Sequence, residues 1–122
     1  LHLEFLQSHV LHVYFLAAPD YFGVGSVFPL VETHKDVVLR ALRMKKCAND
    51  CCARIAGRHV HPIAMVVNGF SRLPTPADLA AVRADLRIAL EDARETVALF
   101  ATLSPPAFTR ETEYISLRKD DE

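Results

Sequence analysis

The sequence has no excess of charge of either sign. Its 122 residues carry 14 Lys and Arg against 15 Asp and Glu, a formal net charge of −1. Binding to nucleic acid or to an anionic membrane surface depends on concentrated positive charge, so the balance argues against a nucleic-acid partner. Hydrophobic residues make up 51% of the chain, which excludes a disordered protein. This share predicts either a dense core or apolar faces that pack against a larger protein.

The sequence also lacks an apolar run long enough to cross a membrane. Its longest stretch without Asp, Glu, Lys or Arg is Phe5–Pro19, which is shorter than the ~20 residues of a spanning helix and contains two histidines. We therefore expect no membrane span. The chain begins at Leu1 rather than Met and ends on the charged run Arg118–Glu122. We expect both ends to be cuts within a longer polypeptide.

Cysteine is scarce, with Cys47, Cys51 and Cys52 as the three examples. An odd number with two neighbours argues against a disulfide framework and favours a reducing compartment, the cytoplasm. The C-x-x-x-C-C spacing lies in a predicted helix, on which Cys51 and Cys52 point ~100° apart. Zinc and iron–sulfur sites usually have C-x-x-C pairs on turns. We interpret these residues as buried thiols; the alternative is a thiol-based metal-binding domain completed by His59 and His61.

Hydrophobic periodicity predicts a mainly α fold with a small β component and about three main helices. One partial domain spans residues 1–122, within the usual size of a single domain. The first helix, Leu1–Ala18, is apolar on almost every side, which is typical of a buried helix. Pro19 is expected to end it, and Gly23 and Gly25 predict an irregular loop afterwards.

The second predicted helix begins near Thr33, with Asp36 in a capping-box position, and ends at Gly57. Its apolar residues recur at helical spacing and predict a core stripe: Val37, Ala41, Met44, Ala48, Cys51 and Ile55. A short strand, Ile63–Val67, follows and is ended by the turn pair Asn68-Gly69.

The third predicted helix has the clearest start, because Thr75 is a capping residue, Pro76 suits the first helical position and Asp78 adds negative charge to the first turn. Near the end of the sequence, Glu113–Leu117 alternates polar and apolar residues like a strand. A continuous core stripe is predicted along the third helix: Leu79, Val82, Leu86, Leu90, Ala93, Val97 and Phe100.

Three histidines, His2, His9 and His12, lie in the otherwise apolar first helix. Buried ring nitrogens need hydrogen-bond partners, so one interpretation is that they are satisfied core residues. Histidine also exchanges protons near neutral pH, and a buried pair beside a reaction centre is the functional alternative. Another histidine, His61, precedes Pro62 in a predicted loop, where functional residues are often found.

Three stretches of the sequence are informative because of their order along the chain. Residues 7–20 read QSHVLHVYFLAAPD, residues 38–46 read VLRALRMKK, and residues 57–62 read GRHVHP before the glycine turn at 66–69. Together they resemble the helix after the first metal-binding motif, the connecting helix and the Gly-x-x-x-His-Pro segment of the large, nickel-carrying subunit of nickel–iron hydrogenases. The match covers essentially the whole chain and is similar to the soluble type that serves nicotinamide or deazaflavin partners. Asn68 departs from the glycine more common in the family.

The resemblance implies reversible oxidation of H₂ to protons and electrons by the parent protein. In the family a nickel–iron centre is held by four thiolates from two C-x-x-C pairs, one near each end of the subunit. This chain has neither pair, so the resemblance implies an internal fragment without metal ligands or catalytic residues. The implied partner is an iron–sulfur small subunit. A non-catalytic scaffold subunit related to the quinone-side subunit of respiratory complex I is the alternative.

The resemblance also implies roles for five residues. His9 and His12 match positions whose side chains lie close to the metal centre, on the proton or gas path. Leu16 matches an apolar position that lines the gas path. His61 and, beside it in the same segment, Arg58 match positions near the small subunit and its proximal iron–sulfur cluster.

Overall fold

The computed structural model describes residues 1–119, and residues 120–122 of the terminal charged run lie outside this range. Within the described range the fold is mainly helical with one small antiparallel hairpin, which confirms the predicted fold class. None of the helices found there is long and apolar enough to span a membrane. The elements in chain order are α1 His2–Leu11, a π-helical segment His12–Ala17, α2 Ala18–Tyr21, α3 Phe28–Thr33, α4 Lys35–Ala56, β1 Met65–Val66, β2 Gly69–Phe70 and α5 Pro76–Thr102.

The first helix continues past Pro19. Helix α1, the π-helical segment and α2 follow one another without a break from residue 2 to residue 21, so the prediction that Pro19 ends the helix was wrong. Proline cannot donate to the helix ladder, and its ring crowds the carbonyl four residues earlier. Just before Pro19 the ladder widens, because the Ala18 amide bonds to the carbonyl of Val13, five residues back. The wide turn accommodates the proline inside the helix.

The first helix is buried on one face rather than on every side, contrary to the prediction. The buried face consists of Gln7, Val10, Tyr14 and Ala18, spaced three or four residues apart. The opposite face is open, as the exposed fraction of Leu16, 61%, shows. The rest of this chain packs against one side of the helix and leaves the other apolar side uncovered.

Helix α4 ends where it was predicted to end. Gly57 follows it in the left-handed conformation, with φ of 84°, which glycine adopts at little cost. Its start differs, because the helix begins at Lys35, and Asp36 makes no capping bond. The predicted loop before it also contains a short helix, α3, in which Pro29 occupies the first turn and Leu30 is buried. Proline in a first turn and one buried anchor favour helix there over irregular chain.

Helix α4 lies at the centre of the fold. Gln7 of α1 lies beside Lys45 and Asn49, and Arg43 lies beside Asp92 of α5. Helix α5 runs antiparallel to α4, because Arg40 lies beside Glu95 and Cys47, further along α4, lies beside the earlier Asp85. The first helix also runs antiparallel to α4, since Tyr14, later in the chain than Gln7, lines a hollow with Met44, which precedes Asn49. The predicted α4 stripe is confirmed: Val37, Ala41, Met44, Ala48 and Cys51 are buried, and Ile55 is partly buried.

Helix α5 begins with the predicted capping box. The Asp78 amide donates to Thr75 Oγ1 at 3.1 Å, and the Thr75 amide donates to Asp78 Oδ2 at 2.9 Å. The predicted continuous core stripe was wrong, because Val82 is buried whereas Val97 is 71% exposed. Leu79 and Leu90 are also exposed. The face of α5 that packs against the rest of the chain is therefore narrower than the apolar stripe that its sequence predicts.

The hairpin forms at the predicted turn. Met65 pairs with Phe70 and Val66 with Gly69, and the turn residue Asn68 has a left-handed φ of 70°. The strand is shorter than the predicted Ile63–Val67. The second predicted strand, Glu113–Leu117, was wrong, since it has no regular structure and is exposed throughout. A strand needs a neighbour to accept and donate its backbone hydrogen bonds, and no described segment pairs with it.

Candidate functional site

The structure brings His9, His12 and Leu16 onto one outward face of the first helix. Phe5 belongs to the same face, four residues before His9, and is 49% exposed. The rings of Phe5 and His9 are 6.2 Å apart between centroids. Both histidines are exposed, so neither is a buried core residue within this chain. The sequence pattern suggested burial because the whole helix is apolar, but only its opposite face meets α4.

His9 and His12 also border an apolar groove between the first helix and α5. The groove consists of two adjoining hollows that share Val13, Thr96 and Val97. His9 lines one hollow and His12 lines the other. The remaining lining residues are mostly apolar: Leu6, Val10, Tyr14, Met44 and Ala93 in the first, and Ala17, Tyr21 and Phe100 in the second. The groove therefore has mostly apolar walls and one imidazole ring at the edge of each hollow.

Tyr14 forms the floor of the groove and ties its two walls together. Its side chain is buried, and its Oη shares a hydrogen bond with Thr96 Oγ1. The Thr96 hydroxyl donates its own proton to the carbonyl of Asp92 at 2.6 Å, so Tyr14 is the donor in the shared bond. The Tyr14 ring also packs edge-on against Phe100, with centroids 6.2 Å apart.

An ion pair fixes α5 against α4 below the groove. Arg43 Nη2 donates to Asp92 Oδ1 at 2.6 Å, and Arg43 Nε donates to Asp92 Oδ2 at 3.2 Å. The hydrogen bonds that the guanidinium donates to the Asp92 carboxylate raise the pKa of Arg43. Two parallel bonds between a guanidinium and a carboxylate fix orientation as well as distance. The wall of the groove that α5 provides is therefore held in register with α4.

Arg58 and His61 lie together in an exposed loop after α4. The loop is closed at its base, because the amides of Ile63 and Ala64 both donate to the carbonyl of Ala56 at 3.1 Å. His61 has a φ of 53°, a left-handed conformation that is uncommon for residues other than glycine. Such backbone strain is concentrated at functional sites. The side chains of Arg58 and His61 point into open space, where a partner surface can reach them.

Gln7 connects the two groups of candidates, and sequence reasoning gave it no role. Its side chain is only 9% exposed. Its Nε2 donates to Asn49 Oδ1 and, at 3.1 Å, to the main-chain carbonyl of His59. The available signal was its position, because Gln7 lies three residues before Val10 on the buried face of an apolar helix. A polar side chain there requires partners.

Two of the three cysteines are buried, as the buried-thiol interpretation predicts, and Cys47 is half-buried. Cys51 is fully buried, and burial raises the pKa of its thiol to about 12. Cys52 is also buried, and Cys47 donates to the carbonyl of Asp85 at 3.6 Å. Between residues 1 and 119, no group of three or more His, Cys, Asp or Glu side chains is arranged to hold a metal ion. The three cysteines of the sequence are one fewer than the four thiolates that the resemblance implies for a nickel–iron centre.

No protein-family model matches the chain. It is 32% identical over 99 residues to the sulfhydrogenase 2 subunit alpha of Pyrococcus furiosus, a match that covers 81% of the chain and 24% of the relative. It is 35% identical over 100 residues to the sulfhydrogenase 1 subunit alpha of the same organism, covering 82% of the chain and 23% of the relative.

A third relative is the periplasmic [NiFeSe] hydrogenase large subunit of Desulfomicrobium baculatum. It is 29% identical over 100 residues, covering 63% of the chain and 20% of that subunit. The chain thus spans about a quarter of the length of the two sulfhydrogenase subunits and less of this one. All three matches agree in the kind of subunit, and the chain belongs to the family of hydrogenase large, or alpha, subunits.

Proposed function

We propose that the chain is an internal part of the large subunit of a nickel–iron hydrogenase, which catalyses the reversible oxidation of H₂ to protons and electrons. In this proposal residues 1–122 form part of one large-subunit domain and have no activity alone. The observation that carries the proposal is the apolar groove bordered by His9 and His12 in a member of this family. The choice of metals is supported by the name of the Desulfomicrobium relative, a [NiFeSe] hydrogenase large subunit.

The metal ligands lie outside this chain in the proposed parent protein. The described thiols are unsuited to the task, because Cys51 is sealed in the core and its burial disfavours the thiolate. The nickel–iron centre of the parent supplies the cleavage of H₂. The contribution of this chain is the surroundings of that centre, namely apolar walls and groups that carry protons.

His9 and His12 are the proposed proton-handling residues. An imidazole changes charge near neutral pH, so it can accept and release a proton without a large energetic penalty. Both rings lie on the outward face of the first helix, where the remainder of a large subunit can pack over them. Leu16 extends this face with an apolar side chain, which suits the passage of a small neutral gas. We therefore assign His9, His12 and Leu16 to the proton and gas paths.

Arg58 and His61 are the proposed contacts to an iron–sulfur small subunit. Their loop is exposed, and the left-handed His61 presents its ring away from the helical core. Hydrogen bonds near an iron–sulfur cluster tune its reduction potential. The proposed electron acceptor beyond the small subunit is a nicotinamide or deazaflavin cofactor. Three free cysteines fit a cytoplasmic location.

Metal analysis combined with a hydrogenase assay tests the proposal. The full-length protein, purified without oxygen, is expected to contain nickel and iron and to reduce a viologen dye with H₂. The 122-residue chain alone is expected to contain neither metal and to be inactive. A folded full-length protein that lacks both nickel and H₂-dependent dye reduction would contradict the proposal and favour the non-catalytic scaffold.

A further inference from the structure

Gln7 is a buried polar side chain with a long-range connection. It lies on α1, two residues before His9, and its amide nitrogen reaches the carbonyl of His59, 52 positions later. The same nitrogen donates its second proton to Asn49 Oδ1 on α4. Both protons of the Gln7 amide are therefore used, which is the arrangement expected of a buried donor. The main-chain carbonyl of Gln7 is also occupied, since Lys45 Nζ donates to it at 3.2 Å.

The loop that receives this bond has few other constraints. Its base is closed by the amides of Ile63 and Ala64. Among the described residues, the bond from Gln7 to the His59 carbonyl is the hydrogen bond that reaches residues 58–62. The four side chains from Arg58 to His61 are exposed. The position of the loop tip relative to the first helix therefore depends on Gln7.

We propose that Gln7 is a positioning residue that holds the loop of Arg58 and His61 at a fixed place on the helix of His9 and His12. The loop is thereby tied to the helix at one point, the bond from the Gln7 side chain to the His59 carbonyl, and the bond to Asn49 of α4 holds the same side chain in place. The part of this inference that concerns electron transfer rests on the proposed function: Gln7 sets the place of the small-subunit contact relative to the reaction side of the groove. The geometric part stands without it.

Two isosteric substitutions separate this role from general packing. Gln7→Glu keeps the shape of the side chain but replaces the donating nitrogen by oxygen. The His59 carbonyl has no proton to offer, so that bond is lost. Asn49→Asp is the matched control, because it keeps an acceptor oxygen for Gln7 and leaves the bond to His59 intact. Gln7→Met removes the donor without adding charge and serves if the Glu variant fails to fold.

Amide hydrogen exchange of the full-length protein, followed by mass spectrometry, measures how firmly the base of the loop is held closed. Exchange at the Ile63 and Ala64 amides is expected to be about tenfold faster in Gln7→Glu and in Gln7→Met, because the loop they close is released. Asn49→Asp is expected to match the wild type. Wild-type exchange in both Gln7 variants, or equal acceleration in Asn49→Asp, would overturn the positioning role.

Two activities of the same variants test the electron-transfer part. Gln7→Glu is expected to slow H₂-dependent reduction of the physiological acceptor about tenfold, with nickel and iron retained. Exchange of H₂ with D₂O, which needs no electron exit, is expected to stay near wild type. Equal loss of both activities would overturn this part. A wild-type protein without hydrogenase activity would instead overturn the proposed function, and amide exchange would still decide the role of Gln7.

Discussion

Tyr14 donates a hydrogen bond to Thr96 across the groove between the first helix and α5. The two residues are 82 positions apart, and their contact lies where three helices meet, since Thr96 Oγ1 is also 3.6 Å from Met44 Sδ on α4. The hydroxyl of Tyr14 is the one polar atom of a side chain otherwise packed in the apolar core cluster. This hydrogen bond therefore links the first helix, which carries both histidines of the groove, to α5.

Removing this hydroxyl is expected to destabilise the fold. Tyr14→Phe keeps the ring and its packing on Phe100 but leaves Thr96 without its donor, at a cost of about 1 kcal/mol in the free energy of unfolding. Urea unfolding measures the change. Tyr114→Phe is the matched control, because Tyr114 is almost fully exposed and the same substitution there should have no effect. Equal effects of the two substitutions would contradict the assigned bond.

The capping box of α5 predicts a dependence on pH. Hydrogen bonds from the amide and hydroxyl of Thr75 lower the pKa of Asp78 from its ordinary value of 3.8. A carboxyl group whose pKa is lowered by folding stabilises the fold above its ordinary pKa and loses this contribution as pH falls through the lowered value. The difference in unfolding free energy between wild type and Asp78→Ala should therefore be constant near neutral pH and shrink below pH 3.8. A difference that persists undiminished in acid would show that the carboxylate is not the stabilising form.

Cys51 offers a test of the buried-thiol interpretation. Cys51→Ser places a hydroxyl in a fully buried apolar position and should lower the free energy of unfolding by about 1–3 kcal/mol. Cys47→Ser, at a half-buried thiol, should cost less. In the full-length protein both variants should keep the nickel and iron content of the wild type, measured by elemental analysis. Loss of metal from folded Cys51→Ser protein would restore the thiol-based metal site.

Local signals in the sequence predicted the end of α4 and the start of α5. The Thr75–Asp78 capping box and the left-handed Gly57 are set by neighbouring residues, so they are visible without tertiary structure. The continuation of the helix through Pro19 could not be predicted, because the π turn that accommodates the proline depends on how the whole helix is packed. The exposure of Val97 was missed for a similar reason: periodicity shows which face is apolar, but not how much of it finds a neighbour.

The sequence indicated candidate residues but not how they are connected in the fold. The sequence singled out His9, His12 and His61 as residues of interest, but the exposure of His9 and His12 depends on how much of the first helix is covered. Gln7 was overlooked because its partners, Asn49 and the carbonyl of His59, come from distant parts of the chain. Every residue has a main-chain carbonyl, so a sequence pattern cannot show which of them accepts a hydrogen bond from a distant side chain. Only the folded structure reveals that the two groups of candidates are joined.

The uncovered face of the first helix predicts the behaviour of the isolated chain. Phe5 and Leu16 contribute to an exposed apolar surface, and such surfaces promote association. The 122-residue chain should bind a hydrophobic dye and self-associate in analytical ultracentrifugation. Replacing Phe5 and Leu16 by Glu should reduce both effects. Leu117→Glu, in the exposed terminal segment, is the control and should change little. A monodisperse wild-type monomer that ignores the dye would contradict the fragment interpretation.

The two groups of candidate residues should separate kinetically in the full-length protein. His9→Ala is expected to depress H₂/D₂O exchange and acceptor reduction together, because His9 is assigned to the reaction side of the groove. His61→Ala is expected to slow acceptor reduction alone. His61→Asn is the companion variant, since Asn tolerates the left-handed conformation of residue 61 and removes only the imidazole. His59→Ala, in the same exposed loop, is the control for a general disturbance of the loop.

The central claim is that this chain supports a hydrogenase in which the reaction side and the electron-exit side are separate. Its most direct test is made on His61→Asn, as the ratio of H₂/D₂O exchange to H₂-dependent acceptor reduction. The account predicts that this ratio rises about tenfold over wild type, the effect expected from losing one hydrogen bond near the electron exit, while nickel and iron content stay the same. The ratio in His9→Ala should remain near wild type, because both activities fall together. A wild-type ratio in His61→Asn, or loss of both of its activities together with its metals, would contradict the account.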